Sequence, residues 1–95
     1  MVVENGDSRV YVRRDDSLLE VIDLEVAALA GVPLSELVFY AVEYSDILLC
    51  KDLLVALVDD PSLVVDNDHG VVAPGPEFVR EIRGRPGWDW RRDVR

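Results

Sequence analysis

The sequence predicts an α+β fold, mainly helical: a compact three-helix core with a short N-terminal strand, a C-terminal β-hairpin and a short fourth helix. Three observations predict it. The stretch from Ser17 to Val58 carries apolar residues at helical spacing, the signature of amphipathic and buried helices. Two β-branched runs, Ser62–Val65 and Val71–Ala73, flank a turn-rich loop, which reads as a hairpin. The chain of 95 residues has room for one domain.

Each element follows from its residues. Arg9-Val10-Tyr11-Val12-Arg13 alternates polar and apolar, a half-buried strand with Val10 and Val12 inward. The first helix is expected from Ser17 to Ala30. Ser17 and Glu20 have capping-box spacing, and Leu18, Leu19, Ile22, Val26 and Leu29 form a buried stripe. Gly31 ends it in the left-handed conformation that glycine adopts without steric cost. A second helix is expected from Leu34 or Ser35 to Tyr44, with Leu37, Val38 and Ala41 on one side and Glu36, Tyr40 and Glu43 on another. The third, from Asp46 to Val58, is apolar around almost its whole circumference, and Asp59-Asp60-Pro61 stops it. Such a helix must be buried all round, either centrally or against another chain. Leu49, Leu53 and Leu57 are therefore candidates for a homodimer or partner interface. Pro76 sits at the start of a short amphipathic helix over Glu77–Arg83. Residues 1–83 form the expected acidic globular domain, and 84–95 an irregular Trp/Arg-rich tail.

The segment Val26-Ala27-Ala28-Leu29-Ala30-Gly31-Val32-Pro33-Leu34-Ser35-Glu36-Leu37 resembles the helix-turn-helix signature of bacterial regulators of the lac-repressor type. A small residue, Ala27, is followed by Gly31 four positions on and Leu37 six beyond that. The resemblance implies a bihelical unit whose second helix enters the major groove. That helix would offer only Ser35 and Tyr40 as base-reading donors and would carry Glu36 and Glu43, which phosphates repel.

Charge narrows the partners. Formal net charge is −9, and eleven acids face one base between Asp15 and Asp60. Such a body repels nucleic acid and attracts cationic surfaces. From Pro76 onward six arginines outnumber four acids. Trp88, Trp90, Arg91 and Arg92 are residue types that dominate interface hot spots, so the tail either docks a partner or folds back over its own acidic body.

No catalytic, metal or cofactor constellation emerges. Asp66-Asn67-Asp68-His69-Gly70 resembles a calcium loop only superficially: glycine falls at position 5 instead of 6, and two prolines lie inside the span. His69 has no evident nucleophile paired with it. Cys50, the sole cysteine, lies in the most apolar helix, and one cysteine permits no internal disulfide. No apolar run reaches the roughly 18 residues of a membrane span, and no secretory leader is recognisable at the N-terminus, so the expected location is cytoplasmic.

The function expected from these features is a non-enzymatic protein-binding or regulatory module of the antitoxin, immunity, inhibitor or adaptor type. It would present Glu20, Asp23, Glu36, Tyr40 and Glu43, with Trp88, Trp90, Arg91 and Arg92, to a basic protein partner. Two alternatives stand beside it: a divergent helix-turn-helix regulator binding DNA as a homodimer, and a structural subunit of a phage or other assembly.

Overall fold

The computed structural model describes residues 1–21 and 24–92. Its first element is a hairpin. β1 (Val2–Asn5) pairs antiparallel with β2 (Ser8–Arg14) across the two-residue loop Gly6-Asp7. Gly6 has φ +61°, a left-handed value that glycine adopts without steric cost. A 3-10 turn (Asp16–Val21) leads into the seven-residue α1 (Leu24–Ala30), and Gly31 at φ +69° ends it. A second 3-10 turn (Leu34–Glu36) precedes β3 (Tyr40–Tyr44), which pairs antiparallel with β2. β2 is therefore the central strand of a three-stranded sheet. Next come α2 (Ile47–Leu57), the hairpin β4 (Val64–Asp66) and β5 (Val72–Pro74), and α3 (Gly75–Gly84).

Several expectations are corrected. The fold is not mainly helical: it is about 37% helix and 26% strand, with two sheets holding five strands. The three-helix core is absent, because the second helix does not form. Its C-terminal half is strand β3, and the first helix is split into a 3-10 turn and a short α1. The bihelical helix-turn-helix unit therefore does not exist, although Gly31 does terminate α1. The physical reason lies in Tyr40-Ala41-Val42-Glu43-Tyr44, rich in aromatic and β-branched residues that suit a pleated surface. β2 supplies the partner edge that makes this strand pay. The short N-terminal strand is longer than expected and gains an unexpected partner in β1. The C-terminal hairpin forms where expected, but as its own two-stranded sheet.

Register divides the three-stranded sheet into two faces. Val10 lies opposite Tyr44 and Val12 opposite Val42; this face packs on α2, whose Ile47, Cys50 and Leu54 are buried. The other face carries Arg9, Tyr11, Arg13 and Glu43, as the alternation of side chains along a strand requires. α2 is tied to the sheet at its start. Asp46 caps it by accepting from Leu48 N (2.8 Å) while the Ser8 hydroxyl donates to Asp46 Oδ2 (2.8 Å). That hydroxyl, aided by the Leu48 amide, holds the Asp46 carboxyl below the usual carboxylate range.

The tail completes the core. Trp88 and Trp90 are each only 3% exposed and join Phe78, Ile82, Val71 and Ala73 in the cluster around α2. Ring centroids lie 5.6 Å apart for Phe78–Trp88 and Phe78–Trp90, and 5.3 Å for the two tryptophans, the separation favoured by edge-on and tilted aromatic pairs. Lys51 is 5% exposed, and its Nζ donates to the carbonyls of Pro86 (2.8 Å) and Trp88 (3.0 Å). The sole lysine of the chain therefore anchors the loop that carries the tryptophans.

Gly75, at the start of α3, is buried against the loop after α2, where an added Cβ would lie 1.8 Å from the Val58 carbonyl oxygen. Backbone cannot retreat as a flexible side chain would. Gly75→Ala is expected to lose about 2–3 kcal/mol of stability, read as a lower urea midpoint; an unchanged midpoint would show that the loop yields freely.

Candidate functional site

The acids picked out from sequence do not share one helical face. Glu20 is exposed on the first 3-10 turn and Glu36 on the second. Tyr40, 61% exposed, and Glu43 sit on β3. Strand alternation puts Tyr40 with Val42 and Tyr44 on one side, and Glu43 with Ala41 on the other. Asp23 lies outside the described residues. Glu20, Glu36 and Glu43 therefore lie on three separate elements.

Glu43 belongs to an outward-facing patch on the three-stranded sheet, a shallow open concavity of about 510 Å³ lined by Val2, Arg9, Tyr11, Glu43, Tyr44 and Ser45. Its charges are matched internally. Arg9 pairs with Glu4 across β1 and β2 at 2.9 Å, and Arg13 bridges Asp15 (3.0 Å) and Glu43 (3.3 Å). Arg14 pairs with Asp16 at 2.9 Å. The Ser17 hydroxyl, with Ser17 N–H and Arg13, holds the Asp15 carboxyl below its ordinary range. Arg9 and Tyr11 were legible as outward residues once Val10 and Val12 were placed inward. What sequence could not show is that strand pairing sets acids beside these arginines.

The tail residues are distributed unequally. Trp88 and Trp90 are core residues, which corrects their assignment to an exposed docking surface. The Trp90 indole N–H donates to the Tyr44 hydroxyl at 2.8 Å. Arg91 is turned onto Asp89, with Nε to Oδ1 at 2.9 Å and an Nη to Oδ2 at 2.8 Å. This two-pronged contact pushes the Asp89 carboxyl down to about 2. Arg92 remains exposed.

Cys50 and His69, the reactive groups picked out from sequence, sit on α2 and in the β4–β5 loop. Cys50 is 1% exposed and burial pushes its thiol up to about 12, so the nucleophilic thiolate is scarce at neutral pH. A thiol-reactive dye at pH 8 is expected to label the native protein negligibly and the urea-unfolded protein fully; rapid native labelling would contradict this burial. His69 is exposed in the β4–β5 loop, which Asn67 organises by accepting from the amides of His69 (2.8 Å) and Val71 (3.1 Å). Asp68 at φ +59° and Gly70 at φ +95° complete the turn. Among the described residues no group of three or more His, Cys, Asp or Glu is placed to hold a metal ion. Nor is any helix there long and apolar enough to cross a membrane.

α2 is open to solvent along part of its length. Leu48 is 63% and Leu57 49% exposed, while Leu49 and Leu53 are half-buried against the core. The helix expected to be buried all round is thus buried on one side only.

No family model, curated protein or solved structure matches the chain.

Proposed function

We infer that this protein is a non-enzymatic binding module whose partner is a basic protein. The observation that supports this reading is how the charge is disposed. Acids of the sheet and its adjoining turns neutralise Arg9, Arg13 and Arg14, and Glu81 and Asp89 pair with Arg85 and Arg91. The excess that makes the chain −9 is left on exposed positions outside these pairs, among them Glu20, Glu36, Asp52, Asp59 and Glu77. A surface of this kind raises the encounter rate with cationic proteins and repels polyanions. It suits an inhibitor, immunity, antitoxin or adaptor role. Loss of the recognition helix removes the feature on which a DNA-binding reading stood.

The test is capture on immobilised protein from lysate of the source organism, washed at rising salt, with protein and nucleic acid both identified. A stoichiometric basic protein released as salt rises is expected. Nucleic acid alone in the eluate would overturn the reading.

A further inference from the structure

We propose that β3 pairs with β3 of a second copy of this chain, antiparallel about a twofold axis at Val42, joining the two three-stranded sheets into one. The inference stands apart from the acidic-module reading. It starts from the ladder between β2 and β3. Ser45 N–H donates to the Arg9 carbonyl and Asp15 N–H to the Phe39 carbonyl. In this register the main-chain groups of Ala41 and Glu43 therefore also point at β2, and those of Tyr40, Val42 and Tyr44 point off the edge of the sheet. No described residue bonds the main chain along that edge. A row of free amides and carbonyls is a template for another strand, and proteins blunt such edges with lysine, proline or a bulge. Tyr40-Ala41-Val42-Glu43-Tyr44 contains neither residue, and its register with β2 is unbroken. None of the five is buried, and Tyr40 is 61% exposed.

The side chains decide which strand fits. On the face that carries Tyr40, Val42 and Tyr44 the strand is palindromic. Antiparallel pairing about Val42 sets Tyr40 of each copy against Tyr44 of the other and Val42 against itself, and such aromatic and β-branched cross-strand pairs are favourable. On the opposite face Glu43, the only charge of the strand, meets Ala41 of the second copy, so like charges are not directly opposed. Arg13 already neutralises Glu43 at 3.3 Å and stands beside Ala41 on β2. Tyr44 is held in place before pairing: its hydroxyl accepts from the Trp90 indole at 2.8 Å, and Arg91 lies 6.0 Å from its ring centroid. The β1 edge fits its own copy less well. Its outward main-chain groups belong to Val2 and Glu4, and a twofold there sets valine against a carboxylate. So short an edge makes a small interface, and the dimer is weak and concentration-dependent.

The test is sedimentation of the full chain from micromolar to millimolar concentration, joined to cross-linking that reads the register. A monomer–dimer equilibrium is expected. Each chain carries −9, so added salt should tighten the dimer by screening, the reverse of its effect on capture of a basic protein. Tyr40→Glu removes both tyrosine pairs and should weaken association by roughly tenfold or more; Val2→Glu, on the other edge of the sheet, should leave it unchanged. Both positions are exposed, and thermal melts matching the parent establish that the variants fold. For the register, Ala41→Cys and Glu43→Cys chains are oxidised separately and mixed. Positions 41 and 43 of opposite copies form a pair without main-chain hydrogen bonds, about 4.5 Å apart between Cα atoms and within disulfide range. Each position lies diagonal to its own mate at about 7–8 Å. The mixture should therefore cross-link faster than either chain alone, and Cys50, 1% exposed, takes no part. A chain monomeric at millimolar concentration overturns the pairing and leaves the edge to a foreign strand. A dimer indifferent to Tyr40→Glu, or cross-linking without preference for the mixture, places association on another surface and overturns it too.

Discussion

Trp90→Ala is expected to lose about 3–5 kcal/mol of folding stability, the range for deleting a large aromatic side chain from a core. The residue is 3% exposed and sits between Phe78, Trp88 and Tyr44, with ring centroids 5.6, 5.3 and 6.1 Å away. Truncation leaves a cavity that three rigid rings cannot close by small rotations. A single domain of this size has only about 5–15 kcal/mol to lose, so the variant should be partly unfolded at temperatures where the parent is fully native. Urea titration followed by far-UV circular dichroism measures it. A midpoint equal to the parent's would mean that the tail does not contribute to the core. Trp90→Phe separates packing from polarity, since it keeps a ring but removes the N–H that donates to the Tyr44 hydroxyl at 2.8 Å. That hydroxyl is part-buried, and losing its donor costs about 1 kcal/mol. In a double-mutant cycle, Tyr44→Phe should therefore cost less on the Trp90→Phe background than on the parent.

This aromatic cluster also marks where reading the sequence succeeds and where it stops. α2 was legible because Asp46 can cap it, an apolar run broken only by Lys51 and Asp52 follows, and Asp59-Asp60-Pro61 ends it. The β4–β5 hairpin was legible because β-branched runs flank a loop of Asp, Asn and Gly whose side chains and positive φ values make the turn. These signals are local. β3 was not legible for the opposite reason. Residues 34–44 satisfy two periods at once, Leu37, Val38 and Ala41 reading as a helix stripe and Tyr40, Val42 and Tyr44 as a strand face. Pairing with β2 across some thirty residues decides between them, and nothing in the segment itself records that partner. The acidic site shared that failure, because a helical face was assumed for Glu36, Tyr40 and Glu43 that the strand does not provide. The sequence alone leaves open whether Trp88 and Trp90 dock a partner or fold back on their own domain. The informative clue was Lys51, a lysine in the middle of a helix that is otherwise apolar apart from Asp52. A charge so placed has to reach solvent or find carbonyl acceptors, and the acceptors lie in the tail.

The same lysine carries the second large effect. Lys51→Met keeps most of the stem volume and removes the ammonium, so its cost reports the two hydrogen bonds to Pro86 and Trp88 more than the packing around them. Hydrogen bonds to a charged donor contribute about 1.5–3 kcal/mol each, and the Trp88 carbonyl is left buried without its Lys51 donor. Against this stands the relief of burying no charge, which sets the net loss at about 3 kcal/mol. Each kcal/mol lowers the midpoint of a domain this size by roughly 4–8 °C, so a fall of about 12–24 °C is expected in thermal melts. The loss should begin in the tail. With the anchor gone, the loop holding Trp88 loosens before α2 does, so tryptophan emission should shift to the red below the main transition. Trypsin should then cut after Arg91, whose guanidinium in the parent is held on Asp89. Lys51→Arg tests the geometry: a planar fork in place of a compact ammonium should restore little of the loss. Parent-like melting of Lys51→Met, with unshifted emission, would show that aromatic packing holds the tail without the lysine.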